Sequence, residues 1–142
     1  MVVQPIDPVY TAHASATGGR QGHVASHDGV LDLRLTSPAS SNGVRGTNPE
    51  QLFAAGYAAC FQSALTSIAR SRGREALYST ITADVSLGKE ESGAYGLAVV
   101  LTVVIPALDR YAAHELAEAA HQRCPYSRAT RGNIDVQVKV GE

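Results

Sequence analysis

The sequence predicts an α+β fold: antiparallel β-sheets with a long, buried central helix and a second helix. Three observations carry this expectation. Strand-like segments of period two come in groups, three before the central helix and two after it, instead of alternating strictly with helices. One stretch, 46–61, is apolar on nearly every side beyond its polar start. A second helical segment, rich in alanine, precedes a last alternating stretch. With 142 residues, 44% of them hydrophobic, the chain suits a single domain, 1–142, with no visible linker, repeat or low-complexity segment.

The elements follow in order. β-Rich segments at 9–16, 22–27 and 30–36 are punctuated by Gly18-Gly19 and Asp28-Gly29, and read as a three-stranded meander. A Ser-, Gly- and Pro-rich loop, 37–46, leads into the central helix. Thr47 or Asn48 can cap it, Pro49 suits the first helical position, and Glu50 favours the positive end of the dipole. From Leu52 to Phe61 only Gly56 interrupts apolar surface, so the N-terminal half, with Cys60, is expected to be the buried part. Polarity returns at Gln62, Ser63, Thr66 and Arg70, and Gly73 is the expected stop. Long strands at 78–87 and 94–105 flank a turn at 88–93. Asp109 can cap the second helix, which carries Ala112, Ala113, Leu116, Ala117 and Ala120. The segment 133–140 alternates as a final strand.

Charge and composition exclude several functions. A net charge of −1 with scattered Lys and Arg gives no nucleic-acid footprint and no basic membrane-binding face. The N-terminus has no basic region followed by an apolar run, and no segment is expected to reach the length of a membrane span. A cytoplasmic protein is the expectation. In that compartment two cysteines are more often a redox pair, separate buried thiols or metal ligands than a structural staple.

Neither cysteine is activated by its local sequence. Cys60, mid-helix among apolar neighbours, gains nothing from the dipole, and desolvation raises its pKa; it needs a cation from elsewhere. Cys124 stands before Pro125, which ends the second helix there, and the negative end of that helix makes it a poor resting thiolate. His121 and Cys124 have a spacing that suits a metal, but no third ligand is nearby, so no metal is expected.

The chain resembles the organic hydroperoxide resistance (Ohr) branch of the OsmC/Ohr family of thiol peroxidases. The resemblance rests on Tyr10-Thr11-Ala12, on Ala16-Thr17-Gly18-Gly19-Arg20-Gln21-Gly22, on Asp28-Gly29-Val30-Leu31-Asp32 and on the 46–61 run. It continues through Ala119-Ala120-His121, Cys124-Pro125-Tyr126-Ser127 and Ala129-Thr130-Arg131-Gly132-Asn133. Arg128 and the charged turn Lys89-Glu90-Glu91 depart from the family pattern. The resemblance implies an OsmC/Ohr-like intertwined homodimer and an antioxidant peroxidase with a redox-active disulfide. Cys60 would be the peroxidatic cysteine, Cys124 the resolving one, and Arg20 with Glu50 the pair that activates and orients Cys60. It further implies organic hydroperoxides as substrates and no bound cofactor. The reductant would be an external dithiol, dihydrolipoyl groups on lipoylated proteins.

Physical chemistry supports those roles. A guanidinium stays charged and offers several donors, so Arg20 can supply the missing cation, and Glu50 serves best by holding Arg20 through a bidentate contact. Glu50 and Cys60 are ten residues apart, about 15 Å along a straight helix and roughly 80° around it. Unless the helix bends or Arg20 spans the gap, Glu50, with or without Arg20, is expected to meet the Cys60 of a second subunit, in sites that straddle a twofold interface. Phe53, Tyr57, Phe61 and Tyr126 are candidates for an apolar substrate channel, and Arg128 and Arg131 for gripping an anionic group. Two competing readings are an OsmC-branch peroxidase with another peroxide preference and a non-enzymatic, dimeric acyl-binding module. The latter would keep its ligand affinity when Cys60 becomes Ser.

Overall fold

The computed structural model describes residues 2–39, 42–74, 76 and 78–141, and it divides into two compact units, Met1–Pro49 and Glu50–Glu142. The first unit is an antiparallel three-stranded sheet of β1 (Ala14–Thr17), β2 (His23–Ser26) and β3 (Asp32–Arg34) in sequence order. Between β1 and β2 the chain makes a 3-10 turn, Gly19–Gln21, entered through Gly18 at φ 76°, where a side chain would be strained. The first strand is shorter than expected. Residues 9–13 alternate suitably, but β2 matches β1 only from Ser26 back to His23. After β3 the backbone returns to itself, with Leu35 bridged to Thr47.

In the second unit, the central helix α1 spans Pro49–Ser71. It ends as the glycine foretells: the amide of Arg74 donates to the carbonyl of Ala69 at 2.8 Å and that of Gly73 to Arg70 at 3.1 Å, with Gly73 at φ 70°. Two sequence expectations about α1 are corrected. At 23 residues, with a mean hydropathy of 1.3 in its most apolar window, it is long and apolar enough to cross a membrane. The polar residues beyond Phe61 hid this, because Ala64, Leu65, Ile68 and Ala69 are interleaved with them. Nor is its N-terminal half the buried part. Its buried residues are Tyr57, Phe61, Ala64, Leu65, Ile68 and Ala69, mostly the C-terminal half, whereas Ala55 and Ala59 are exposed and Cys60 is half-buried. The apolar run has more surface than this chain covers.

A hairpin of β4 (Thr80–Lys89) and β5 (Tyr95–Val104) pairs over ten residues, from Thr80 with Val104 to Lys89 with Tyr95. The helix α2 (Arg110–Arg123) follows, its Asp109 cap accepting from the amide of Ala112 at 2.8 Å as expected. A short helix not foreseen in the sequence, α3 (Pro125–Thr130), leads to β6 (Asp135–Val140). The sheet order is β4-β5-β6, and β6 runs parallel to β5 rather than antiparallel. The crossover through α2 and α3 carries the chain back to the starting end of β5, which dictates that direction. Val99, Leu101 and Val103 of the central strand form one core with the buried residues of α1 and with Ala113, Leu116, Ala117 and Ala120 of α2.

Candidate active site

The second unit brings the two cysteines together. Cys124 Sγ lies 3.7 Å from Cys60 Sγ, and both are free thiols. That is sulfur contact and hydrogen-bond range, well outside the disulfide length of about 2.05 Å. Cys60 projects from the fourth turn of α1, half-buried, and Cys124 is fully buried at the α2–α3 junction. Pro125 ends α2 at Arg123, as expected, but it also opens α3, so Cys124 stands at the end of one helix and the start of the next. The dipole of α2 alone therefore does not describe its surroundings.

Burial pushes the Cys60 thiol up. The backbone amide of Tyr126, in the first turn of α3, donates to the sulfur and works against that, while the hydrogen bond and charge of Cys124 add to the rise. This amide contact was not foreseen in the sequence, because it follows only from α3.

Three of the four aromatic candidates meet. The rings of Phe53, Tyr57 and Tyr126 form a triangle with centroids 5.9, 6.1 and 5.7 Å apart, mostly edge-on or tilted. Tyr126 is 39% exposed, Phe53 is half-buried and Tyr57 is fully buried. Gly56 makes room for this group, since a Cβ there would stand 3.1 Å from the Tyr126 hydroxyl. Phe61 is fully buried in the core. Glu50 occupies the first turn of α1, and ten residues of unbroken helix separate it from Cys60, about 15 Å of rise. Arg20 lies on the 3-10 turn of the first unit.

A buried polar cluster beside the thiols was also missed. Ser127 Oγ is 2.7 Å from the Tyr57 hydroxyl and 2.8 Å from His121 Nδ1. The Tyr57 hydroxyl is 3.3 Å from Thr130 Oγ1, which donates to the carbonyl of Ser127 at 3.1 Å. Burial lowers the His121 pKa, the charge of Arg131 lowers it further, and Glu118 opposes both. His121 thus faces a serine, and among the described residues no group of three or more His, Cys, Asp or Glu could hold a metal. Arg131 caps the carbonyl of His121 through Nη2 at 2.6 Å, an intramolecular role that competes with gripping an anion. Arg128 lines a surface cavity of about 600 Å³ with Arg72, Arg123 and Ile68.

Two free thiols in contact, one on a long helix and one at a helix junction, with a backbone amide aimed at the first, stand on an α+β scaffold. Residues 40–139 match the profile of the OsmC-like protein family, and the chain belongs to the OsmC/Ohr family. It is 52% identical over 134 residues to the organic hydroperoxide resistance protein OhrB of Bacillus subtilis, covering 93% of this chain and 98% of OhrB. It is 46% identical over 138 residues to the organic hydroperoxide resistance protein of Xanthomonas axonopodis pv. citri, covering 95% and 96%. The crystal structure of B. subtilis OhrB superposes with a TM-score of 0.90 at 50% identity, covering 94% of this chain and all of that one.

Proposed function

We propose that this chain is a thiol peroxidase that reduces organic hydroperoxides, alkyl or fatty-acid, to alcohols in defence against organic peroxide stress. The observation that carries the proposal is the 3.7 Å separation of Cys60 and Cys124; the names of its relatives supply the substrate class. The Cys60 thiolate attacks one oxygen of the peroxide, the O–O bond breaks, and the leaving alkoxide takes a proton to become the alcohol. Cys60 is left as a sulfenic acid. Cys124 then attacks that sulfur as a thiolate, and hydroxide leaves as water with the proton that Cys124 gave up. An external dithiol of the dihydrolipoyl type, carried by lipoylated proteins, supplies two electrons and reopens the disulfide.

In this reading Arg20 provides the positive charge that the half-buried Cys60 thiolate requires, and Glu50 orients Arg20. Phe53, Tyr57 and Tyr126 give the approach to Cys60 its apolar character, with Phe61 packed behind them. The 142 residues act as one OsmC/Ohr-like domain in a homodimer, in the reducing cytoplasm, where a free thiol pair persists. No bound cofactor is required.

The test is consumption of an alkyl hydroperoxide by purified protein with dihydrolipoamide as sole reductant, with Cys60→Ser beside the wild type. Turnover that disappears in the variant is expected. A wild type that consumes no peroxide while its thiols are accessible and reduced would remove the proposal and favour an acyl-binding module.

A further inference from the structure

The hydroxyl of Ser127 is fully buried and has two partners from two other helices, Tyr57 on α1 and His121 on α2. The spacing of the three is telling. Tyr57 precedes Cys60 by three residues, His121 precedes Cys124 by three, and Ser127 follows Cys124 by three. Residues three apart on a helix are neighbours on one face, so Tyr57 sits about one turn from Cys60 on α1, while Cys124, at the α2–α3 junction, is flanked at three residues by His121 and Ser127. One assignment of protons satisfies every member: His121 Nδ1–H donates to Ser127, Ser127 to Tyr57, Tyr57 to Thr130, and Thr130 to the carbonyl of Ser127. Among the described residues no buried side-chain polar atom lacks a partner. Directional bonds fix geometry more tightly than apolar contact does.

We infer that Ser127 and His121 are positioning residues, which hold the α2–α3 junction against α1 so that Cys124 waits in contact with Cys60 for the sulfenic acid to form. This rests on the peroxidase reading above and assigns its second step a structural control. Neither residue touches the peroxide. Ser127 and His121 act through Cys124, by keeping its sulfur within reach of an electrophile that exists only briefly. Loosening the clamp widens the time in which a second peroxide can take Cys60 from sulfenic to sulfinic acid, with loss of one more alcohol.

The experiment separates the two steps. Reduced Ser127→Ala and His121→Leu proteins receive one equivalent of alkyl hydroperoxide. Peroxide loss, disulfide formation and trapping of the sulfenic acid by dimedone are followed together by rapid quench and intact mass. Expected are a rate of peroxide loss within about twofold of wild type and disulfide formation slowed at least tenfold. A dimedone adduct that wild type shows only faintly should accumulate, with more sulfinic acid under excess peroxide. Ser127→Thr and His121→Asn, which keep a polar atom in place, should recover most of the disulfide rate, a recovery that a general loss of packing would not give. Disulfide formation at the wild-type rate in either folded truncation would overturn the inference, and so would truncations and conservative variants slowed alike. A wild type that forms neither sulfenic acid nor disulfide would overturn the peroxidase reading itself, a result distinguishable from the others.

Discussion

Replacing Cys124 by Ser tests most directly what the sulfur geometry is for. The second thiol is confined within 3.7 Å of the first. One thiol in a sphere of that radius corresponds to an effective concentration of roughly 8 M. Dihydrolipoamide or another thiol at a few millimolar is about a thousandfold more dilute, so capture of the Cys60 sulfenic acid should slow by about three orders of magnitude in the variant. Closing the disulfide needs the sulfurs to approach by only about 1.7 Å, within the reach of side-chain torsions and small backbone adjustment, so no large rearrangement should limit the wild type. The assay is intact mass spectrometry after one equivalent of alkyl hydroperoxide. Wild type should lose two hydrogens, and Cys124→Ser should gain one oxygen, and two oxygens at higher peroxide. A variant whose Cys60 stays unoxidised would refute the reasoning. So would a variant sulfenic acid that disappears as fast as the wild-type disulfide forms, since proximity would then be irrelevant.

Two further outcomes are expected. If Arg20 activates Cys60 as proposed, Arg20→Met should move the midpoint of Cys60 alkylation by iodoacetamide to the alkaline side of the wild-type midpoint, adding to the rise that burial already causes. Because burial favours the neutral thiol of the folded protein, the associated stability is fully present below the unfolded thiol pKa and lost as pH rises through the folded one; equal midpoints in wild type and Arg20→Met would end the case for Arg20 as activator. Phe61→Ala removes a fully buried ring from the core and should cost about 3–5 kcal/mol, a fall in melting temperature of about 10–15 °C for a chain of this length; a fall under about 3 °C would mean the ring packs loosely.

What the sequence made legible, and what it hid, divides along physical lines. The class of fold, the α1 and α2 helices and both long strands follow from periodicity and from local start and stop signals such as Asp109 and Gly73, because those signals act within a few residues. The direction of β6 was not legible, since a strand carries the same alternation whichever way its neighbour runs. In the same way, Pro125 correctly marked the end of α2 but gave no sign of opening α3, because proline suits both positions. Of the candidate site, the two cysteines could be picked out in the sequence, and the structure puts their sulfurs 3.7 Å apart. The Tyr126 amide and the Ser127 hydroxyl could not be picked out, because their roles depend on how α3 meets α1, a contact between residues some seventy positions apart in the chain.

The exposure of α1 leads to the last prediction. Its most apolar window has a mean hydropathy of 1.3, yet only 33% of that window is buried within this chain. Ala55 and Ala59 stand exposed beside the half-buried Cys60. A surface of that kind is stable in water only if something covers it, and a second copy of the chain also answers the separation of Glu50 from Cys60, about 15 Å along one helix, by supplying activating groups from its partner. A stable interface of this type buries on the order of 800 Å² on each side. Sedimentation at micromolar concentration without detergent should therefore give twice the 14.9 kDa chain mass, and mixing inactive Cys60→Ser with inactive Arg20→Met chains should regenerate activity if the sites are shared. A monomer that binds neutral phospholipid vesicles would assign the exposed face to a membrane instead. A dimer in which mixing restores nothing would keep the interface but place each complete site within one subunit.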